Sequence, residues 1–441
     1  MFSHQDNLTI TGVSPGTPLH EPLARFWYPV LQSHQLNHGH TSKIRLLGEN
    51  FVVAREGGTL FAMEEACPHR QASMALARVE PGGLRCIYHG WLIDRNGKVA
   101  ETPNETESGT RRNIKVRAPA VREAGGLIWM NVCEDAAQRA PFPDFPWMHL
   151  PEDQVVIANV IARVNWTQSL EGAIDSSHSS HLHSDQIVSE AATRASTQVM
   201  KDAGYQVLRP SLDKRPRLRV RNTHCGFAYG ALRTPIHNPD TTVYVRVTAF
   251  GFPCFVNIPA STNKLDMQIF VPIDETRTHF VFVRASRNGK LDRAASLEWS
   301  GLVPGRDIDD AGCLRLDAST NWGQDRAAML AGKSFSGIRG TSVQDFAVQE
   351  SMGAIVDRTR ENLGPGDVAI AHFRRLLLAS AKGEFAGDPG YVSAMRYEDL
   401  LACDGLIPIE QDWTTLFKQG EVNWLTGKKT SADHEDQESC Q

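Results

Sequence analysis

The sequence lacks several features that would assign a protein to a broad class. It has no excess of basic residues, since 46 Lys and Arg stand against 51 Asp and Glu, a formal net charge of -5. This balance argues against a nucleic-acid partner and against a polybasic membrane surface. No apolar run is long enough to span a bilayer, and residues 1–13 show no basic region followed by an apolar stretch. We therefore expect a cytoplasmic protein with no membrane and no nucleic-acid partner.

Cysteine is scarce as well, with eight residues in a chain of 441. Only Cys67 and Cys86 stand in a patterned context, so a disulfide framework is not indicated and a reducing compartment fits best. The chain also lacks a glycine-rich nucleotide fingerprint. It is therefore not expected to collect electrons from NADH itself, and a separate reductase is implied.

What the chain does contain is a 41% share of apolar residues, enough for two or three domain cores. Residues 1–41 are interpreted as an arm with a helix from Leu23 to Leu31 that docks on a later part of the chain. Residues 42–150 are expected to form a small all-β domain, because short β-like runs alternate there with glycine. These runs read IRLLG, NFVVAREGG, TLFAMEEAC, GGLRCIY, WLIDRNGKV, NIKVRAP and GLIWMNV. The proline-rich stretch Pro141–Pro151 at the end of this domain is predicted to be a linker.

Residues 151–425 predict a larger catalytic domain of the α+β class. Alternating runs from RPRLRVRN to HFVFVRAS indicate an antiparallel sheet. Helical periodicity over residues 343–361 and 367–382 predicts helices that flank this sheet, as in a helix-grip arrangement. The tail, residues 426–441, is polar and charged and is expected to be disordered.

The most specific motif lies in the small β domain. Cys67-Pro-His69 is followed, after sixteen intervening residues, by Cys86-Ile-Tyr-His89. Two Cys–His pairs on two loops are the ligand set of a Rieske [2Fe–2S] cluster, in which thiolates hold one iron and imidazoles hold the other. A Cys2His2 zinc site uses the same residue types. The iron–sulfur interpretation is favoured because the Cys-x-His spacing is tighter than in zinc fingers and no helix-borne histidine pair follows.

A second polar cluster follows in the stretch from Asn165 to His183. Apolar residues at helical spacing predict a helix whose face carries Asp175 and His178. His178 and His183 are five residues apart, which is about 140° out of register on an ideal helix. Both can reach one metal only if the helix ends or bulges near Ser179 and Ser180. The alternative is a run of capping serines and surface histidines.

With both motifs together, the chain resembles the oxygenase (α) component of Rieske non-haem iron aromatic oxygenases, over nearly its whole length. It is most similar to the phthalate dioxygenase branch, which includes related chlorobenzoate and phenoxybenzoate dioxygenases. The family pattern Asp-x2-His-x4-His begins at Asp175 and implies His178 and His183 as iron ligands, so His181 is left as a non-ligand. The resemblance also implies a homotrimer or a dimer of trimers. In such an assembly Asp175 bridges the iron of one subunit to the cluster ligand His89 of the next.

A facial triad of two histidines and one carboxylate on Fe(II) needs a third ligand. Asp345 heads a helical stripe with Val348, Met352 and Val356. A carboxylate on an apolar stripe is expected to face the interior, where a cation is its natural partner. The resemblance supports the same choice, because the family carries its carboxylate ligand in a Gln-Asp or Glu-Asp context. The alternative is a carboxylate that only stabilises the start of a helix.

Two arginines are candidates for substrate binding. Arg217 lies in the basic strand RPRLRVR, and Arg246 lies among aromatic residues in TTVYVRVTAFGFPCF. Arginine pairs bidentately with carboxylates, and aromatic side chains would bind a ring. The alternative, a solvated arginine face, carries equal weight for both.

These expectations combine into one function. The chain is predicted to take electrons through the cluster to Fe(II) and, with O2, to hydroxylate an aromatic carboxylate, with cis-dihydroxylation expected. A Rieske monooxygenase or O-demethylase uses the same metals and is the alternative. A non-enzymatic Rieske electron-transfer protein is disfavoured by the second metal motif.

Overall fold

The computed structural model describes residues 2–106, 113–186, 202–203, 206–207, 211–261, 264–397, 400 and 402–416. The tail predicted to be disordered, residues 426–441, lies outside the described residues. The fold class expected from the sequence is confirmed, with a small all-β region followed by an antiparallel sheet flanked by helices.

The N-terminal third is built from short antiparallel strands. They form three sheets with the strand orders β2-β3-β4, β5-β6-β7-β8 and β1-β10-β9. Strand β3 is buried on both faces, since Phe51 and Val53 enter the large core and Val52 and Ala54 enter a smaller one. The strands are β1 (Tyr28–Gln32), β2 (Thr41–Leu46), β3 (Glu49–Glu56), β4 (Thr59–Glu64), β5 (Arg78–Glu80), β6 (Gly83–Arg85), β7 (Leu92–Asp94), β8 (Val99–Glu101), β9 (Ala120–Ala124) and β10 (Leu127–Asn131).

This region has a small core of its own. Val52, Met63, Leu84 and Ile93 are fully buried in it, together with the fully buried ring of Trp91. The two motif cysteines belong to the same core. A cluster held there would therefore sit at the edge of a rigid apolar layer.

In the described part of the chain, eight strands form the large sheet, in the order β11-β19-β18-β17-β16-β15-β14, with β20 also paired to β16. Neighbouring pairs are antiparallel, as the alternating pattern predicted. The remaining strands are β11 (Val155–Ala162), β12 (Asp202–Ala203), β13 (Gln206–Val207), β14 (Arg217–Thr223), β15 (Gly226–Arg233), β16 (Thr242–Gly251), β17 (Phe255–Ser261), β18 (Lys264–Asp274), β19 (Arg277–Ser286) and β20 (Cys403–Pro408).

The helices pack around this sheet. They are α1 (His4–Thr11), α2 (His20–Ala24), α3 (Trp166–Ala173), α4 (Arg293–Ser300), α5 (Arg326–Leu330), α6 (Thr341–Ser351), α7 (Val368–Ala381) and α8 (Pro389–Ala394). Helix α3 lies against β17, β18 and β19 and also touches α6. No helix among the described residues is long and apolar enough to cross a membrane.

The end of α3 is tied to the C-terminal region by a buried ion network. The Glu171 carboxylate accepts hydrogen bonds from the guanidinium groups of Arg358 and Arg374 at 2.8–3.1 Å. Arg358 also donates to the Asn7 side chain at 3.0 Å, which joins α1 to the same network. Buried charges of this kind are stable only when all partners are present.

Two predictions about the N-terminal third were wrong. The predicted helix from Leu23 to Leu31 ends at Ala24, and Tyr28–Gln32 instead forms a strand paired with β10, because Pro29 has no N–H for a helix. The run NIKVRAP forms no strand and contributes one bridge, from Lys115 to Lys98.

The helix predicted over residues 343–361 ends at Ser351, since Gly353 takes a left-handed conformation with φ 93°. The prediction for residues 367–382 agrees with α7.

The proline-rich stretch Pro141–Pro151 is not a loose tether. Its Phe145 and Trp147 are fully buried. The Phe145 ring lies 5.0 Å from that of Phe255 in the large sheet. Burial of aromatic surface holds this segment on the catalytic core even though proline removes backbone donors.

Candidate functional site

The four motif residues of the small domain lie on two tight loops. Cys67 follows β4, and its N–H bonds the carbonyl of Ala72 at 2.9 Å. Cys86 follows β6, and its carbonyl accepts from the N–H of Gly90 at 3.0 Å. Gly90 has φ 77°, and a Cβ there would meet Pro103 at 2.8 Å, so the second loop requires glycine.

The ligand atoms of these loops face one another. The rings of His69 and His89 lie 4.4 Å apart, and His69 stacks on Trp91 at 4.7 Å. Burial and the adjacent Cys86 thiol raise the pKa of Cys67 to about 11, while the backbone N–H groups of His69 and Arg70 lower it. A bare thiol here stays protonated at neutral pH, whereas bound iron would ionise it. Two thiols, two imidazoles and inward N–H donors fit a [2Fe–2S] cluster.

The second centre forms where α3 ends. Asn165 caps the start of the helix by accepting from the N–H of Thr167 at 3.1 Å. After Ala173 the chain turns through a short 3-10 helix, His178–Ser180, closed by a bond from Leu182 N–H to His178 O of 2.8 Å. This turn brings the two histidines onto one side.

His178, His183 and Asp345 form the compact group. The Nε2 atoms of the two histidines are 3.1 Å apart, and Asp345 Oδ1 lies 3.1 Å from His183 Nε2 and 3.6 Å from His178 Nε2. Donors about 2.1 Å from one ion and at right angles to each other are separated by about 3 Å. Three ligands mutually adjacent in this way fit a facial triad, which leaves the opposite face open. His181 is exposed and stands outside the group.

The prediction of one helix that carries Asp175 and His178 and ends or bulges near Ser179 and Ser180 was wrong. The helix ends at Ala173, before Asp175, so Asp175 and His178 lie on a loop and not one turn apart on a helix. The Asp175 carboxylate accepts from the N–H of Ser177 at 2.7 Å, and this local bond competes with continuation of the helix.

Asp175 nevertheless faces His178. Its Oδ2 is 3.7 Å from His178 Nδ1, beyond hydrogen-bond range but within ion-pair range, and its Oδ1 accepts from Ser177 N–H at 2.7 Å. Burial raises the pKa of Asp175, but His178 and the backbone N–H of Ser177 outweigh it and leave the pKa below its usual range. Asp175 is therefore a carboxylate at neutral pH.

The apolar stripe headed by Asp345 was predicted to face the interior, and it does not. Val348 and Met352 are 39% and 49% exposed, so the stripe does not face the interior of this chain. Asp345 instead turns toward the histidines from the second turn of α6, with its side chain 22% exposed. The apolar stripe remains an uncovered surface beside the triad.

Two buried arginines lie on the sheet face that carries Tyr229. Arg233 is 1% exposed, and its Nη2 donates to both the carbonyl and the hydroxyl of Ser176 at 3.0 Å. Arg246 is 7% exposed and donates to Pro259 O at 2.8 Å. The Nε and Nη1 of Arg233 and the Nε of Arg246 are buried without a hydrogen-bond partner among the described residues.

The charges of both arginines and of Asp175 act on Tyr229. Burial, and then the charge of Arg246, lowers the pKa of Arg233 to about 10, so Arg233 remains cationic at neutral pH. Burial raises the pKa of Tyr229 to about 12, with a further rise from the Asp175 charge and a decrease from a bond with Thr248. Two buried arginines with N–H groups that lack a partner among the described residues, next to the Asp175 loop, make a site that favours an anion.

Arg217 does not share this site. Arg217 pairs with Leu232 across β14 and β15, whereas Arg246 pairs with the adjacent Ala231. Directly paired residues lie on the same face and neighbours along a strand alternate, so the two arginines lie on opposite faces of the sheet. Arg217 is exposed. The aromatic neighbours expected around Arg246 also differ, since Phe252 and Phe255 pack in the core.

Sequence reasoning missed Arg233 and Gln344. Arg233 ends GFAYGALR, and the only signal for it was a charge at the end of an otherwise apolar strand. Gln344 Oε1 contacts His183 Nδ1 at 2.7 Å. Its signal was its position immediately before Asp345.

Two family models match the chain. A Rieske [2Fe-2S] domain model covers residues 26–119, and a model described as LigXa C-terminal domain like covers residues 129–438. The first contains the two Cys–His loops, and the second contains the triad.

Curated relatives match over most of their length. The phthalate 4,5-dioxygenase oxygenase subunit of Pseudomonas putida is 37% identical over 399 residues, 88% of each chain. The 3-chlorobenzoate-3,4-dioxygenase oxygenase subunit of Comamonas testosteroni is 30% identical over 445 residues, 94% of this chain and 98% of the relative. Among solved structures, the terminal oxygenase of carbazole 1,9a-dioxygenase from Nocardioides aromaticivorans IC177 has a TM-score of 0.55 at 16% identity, over 86% of this chain and 97% of that one. This last likeness establishes the fold.

Proposed function

The chain belongs to the Rieske non-haem iron oxygenases, as an oxygenase (α) component, and on that premise we propose that it hydroxylates an aromatic carboxylate with O2. Dihydroxylation to a cis-diol is the expected outcome. The proposal is carried by the compact group of His178, His183 and Asp345 together with the buried Arg233, which bonds Ser176, two residues before His178.

Each metal would be held by residues of known chemistry. Cys67 and Cys86 would bind one iron of the cluster as thiolates, and His69 and His89 would bind the other as neutral imidazoles. The mononuclear iron would be held by the compact triad described above. When bound, these groups supply electron transfer and O2 activation.

The protein's own part in the reaction is orientation and charge. Arg246 and Arg233 would receive the carboxylate, since a guanidinium fork matches carboxylate geometry and the pair is already desolvated. Pairing also relieves two buried cations, which favours an anionic over a neutral ring. The two curated relatives are named for phthalate and 3-chlorobenzoate, both of which are aryl carboxylates.

Electrons would come from a separate NADH-dependent reductase. The exposed side chains of Ile87 and Tyr88, between Cys86 and His89, lie at the tip of a cluster loop, where a protein partner can approach. We propose that this tip docks in a homotrimer or dimer of trimers, near the iron site of the neighbour. Asp175 would then link His178 to His89 of the partner subunit, since one carboxylate can accept from two imidazoles.

The experiment is turnover of the purified protein with a suitable reductase, NADH and O2 on matched substrates. Phthalate and 3-chlorobenzoate would be compared with their amides, and products identified by mass spectrometry with 18O2. A cis-diol from the acids and little product from the amides supports the proposal. A single hydroxylation or loss of an O-methyl group would assign the chain to the alternative, a monooxygenase or O-demethylase. Absence of any oxygenated product would remove the enzymatic assignment.

A further inference from the structure

The two iron histidines differ in what holds their outer nitrogen. His178 Nδ1 faces the Asp175 carboxylate at 3.7 Å. His183 Nδ1 contacts the side-chain amide of Gln344 at 2.7 Å. Gln344 is 1% exposed and lies on α6, directly before Asp345.

The orientation of this amide follows from its other contacts. Gln344 Nε2 lies 2.9 Å from the hydroxyl of Ser336 and 2.8 Å from the carbonyl of Ile338. A carbonyl can only accept, so the atom opposite Ile338 must be the amide nitrogen. The reverse orientation would set two oxygens against each other at 2.8 Å. The oxygen Oε1 therefore faces His183.

Ser336 helps to fix this arrangement. Its hydroxyl accepts from the N–H of Ile338 at 3.1 Å and is itself 7% exposed. The turn from Ser336 to Ile338 thus presents one hydroxyl and one carbonyl to the amide, and both of its hydrogens have acceptors.

From this geometry we infer that Gln344 is a positioning residue for the mononuclear metal. Its oxygen accepts the Nδ1 proton of His183, which selects the tautomer whose Nε2 lone pair points at His178 Nε2 and Asp345 Oδ1. It also holds the ring plane, because a 2.7 Å bond to a buried, doubly anchored amide leaves little freedom to rotate. Outer hydrogen bonds of this kind raise metal affinity.

His183 has a neutral partner, Gln344, and His178 has a charged partner, Asp175. The two partners therefore have different roles. Gln344 is buried and serves only its own chain. The side chain of Asp175 is 23% exposed, so a second subunit could reach it. This inference rests on the proposed iron site, but not on the identity of the substrate.

The test measures metal binding, not turnover. Protein with its cluster intact would be depleted of the mononuclear metal and titrated with Co(II) by calorimetry and electron paramagnetic resonance. In Gln344→Leu we expect about 10–100-fold weaker Co(II) binding and an altered Co(II) signal. In Gln344→Glu, which keeps the acceptor for His183 but sets an oxygen against the Ile338 carbonyl, only part of the affinity should return. Gln349→Leu is the matched control, because Gln349 is also buried on α6 and lies outside the triad.

The outcomes separate the claims. Wild-type affinity in Gln344→Leu, or an equal loss in Gln349→Leu, overturns the role of Gln344. If Gln344→Leu does not fold, Ser336→Ala decides, with a several-fold loss expected and an unchanged affinity contradicting the inference. If the wild-type protein binds no Co(II) at the triad, the proposed iron site fails, and this inference fails with it.

Discussion

The two metal centres of this chain are assembled in opposite ways. The proposed cluster ligands lie within 23 residues, from Cys67 to His89, and each of their loops closes on itself through backbone bonds. The triad joins His178 and His183 to Asp345, which lies 162 residues beyond the second histidine. It depends on the packing of α3 against α6 and on the buried Glu171 network. A local site is held by turn geometry, whereas a distant one is only as stable as the contacts that bring its segments together.

The strongest test of this contrast is removal of the distant ligand. In Asp345→Ala we expect loss of the mononuclear iron and of turnover. The loss should exceed the roughly 100-fold decrease in metal affinity or activity that follows mutation of residues that only contact the ligands. The cluster should be unaffected, because its ligands lie in a separate core. Iron analysis and the resonance signal of the reduced cluster measure both in one sample. Loss of the cluster signal would show that the centres are not independent.

The second test concerns the buried Glu171 network, on which the triad depends. Glu171→Gln should destabilise the fold by about 3–5 kcal/mol, because two buried arginines lose their counter-charge. Glu361→Gln, which also meets Arg374 but is partly exposed, is the control and should cost less than about 1 kcal/mol. Denaturant unfolding measures both. Equal effects would mean that burial of Glu171 does not matter.

The same carboxylate predicts an acid dependence of stability. Burial raises the pKa of Glu171, but Arg358 and Arg374 outweigh it, so the folded pKa lies below the usual value. Its stabilisation is therefore present above the unfolded pKa, about 4.3, and is lost as the pH falls through the folded one. Between neutral pH and acid, Glu171→Gln should show a shallower loss of stability than the wild-type protein.

Asp175→Asn should break the link between the centres without removing either. We expect it to retain both metals yet lose turnover by about 100-fold or more, because an amide cannot accept from two imidazoles. The exposed turn-capping Asp357, changed to Asn, is the control and should keep its activity. Pre-reduced protein would be mixed with substrate and O2 in a single turnover. Reoxidation of the cluster with product formation at the wild-type rate would exclude Asp175 as the bridge.

The smallest expected effect lies in the substrate site. Arg246→Leu should weaken the binding of an aryl carboxylate by roughly 1.5–3 kcal/mol, about ten- to a hundred-fold in affinity. The binding of the corresponding amide should weaken much less. Arg217→Leu, on the opposite sheet face, should change neither. Binding measured by calorimetry decides between them. Equal losses for acid and amide would make Arg246 structural, and a loss in Arg217→Leu would contradict the assignment of faces.

Features with a local origin could be predicted from the sequence, whereas features that depend on distant contacts could not. Most strands of the small β domain and of the large sheet were predictable, because alternation repeats over many residues. The four cluster residues could be proposed from spacing alone, since their geometry is local. That α3 ends could be inferred from the five-residue separation of His178 and His183, but its end at Ala173 could not. The local bond between the Asp175 carboxylate and Ser177 N–H competes with the helix there.

The remaining residues depend on distant contacts. The exposed stripe with Val348 shows that periodicity alone does not reveal which face a helix buries. Arg217 and Arg246 could not be separated until the strand register assigned them to faces. Arg233 and Gln344 are recognisable only by their neighbours, Ser176 and His183.

The central claim is that this chain holds two iron centres of different kinds, and metal and sulfide analysis tests it most directly. We predict about three irons and two acid-labile sulfides per chain, a Rieske-type resonance on reduction, and loss of only about one iron to a mild chelator. Stoichiometric zinc in place of the cluster iron, or release of all the iron in one step, would contradict the account.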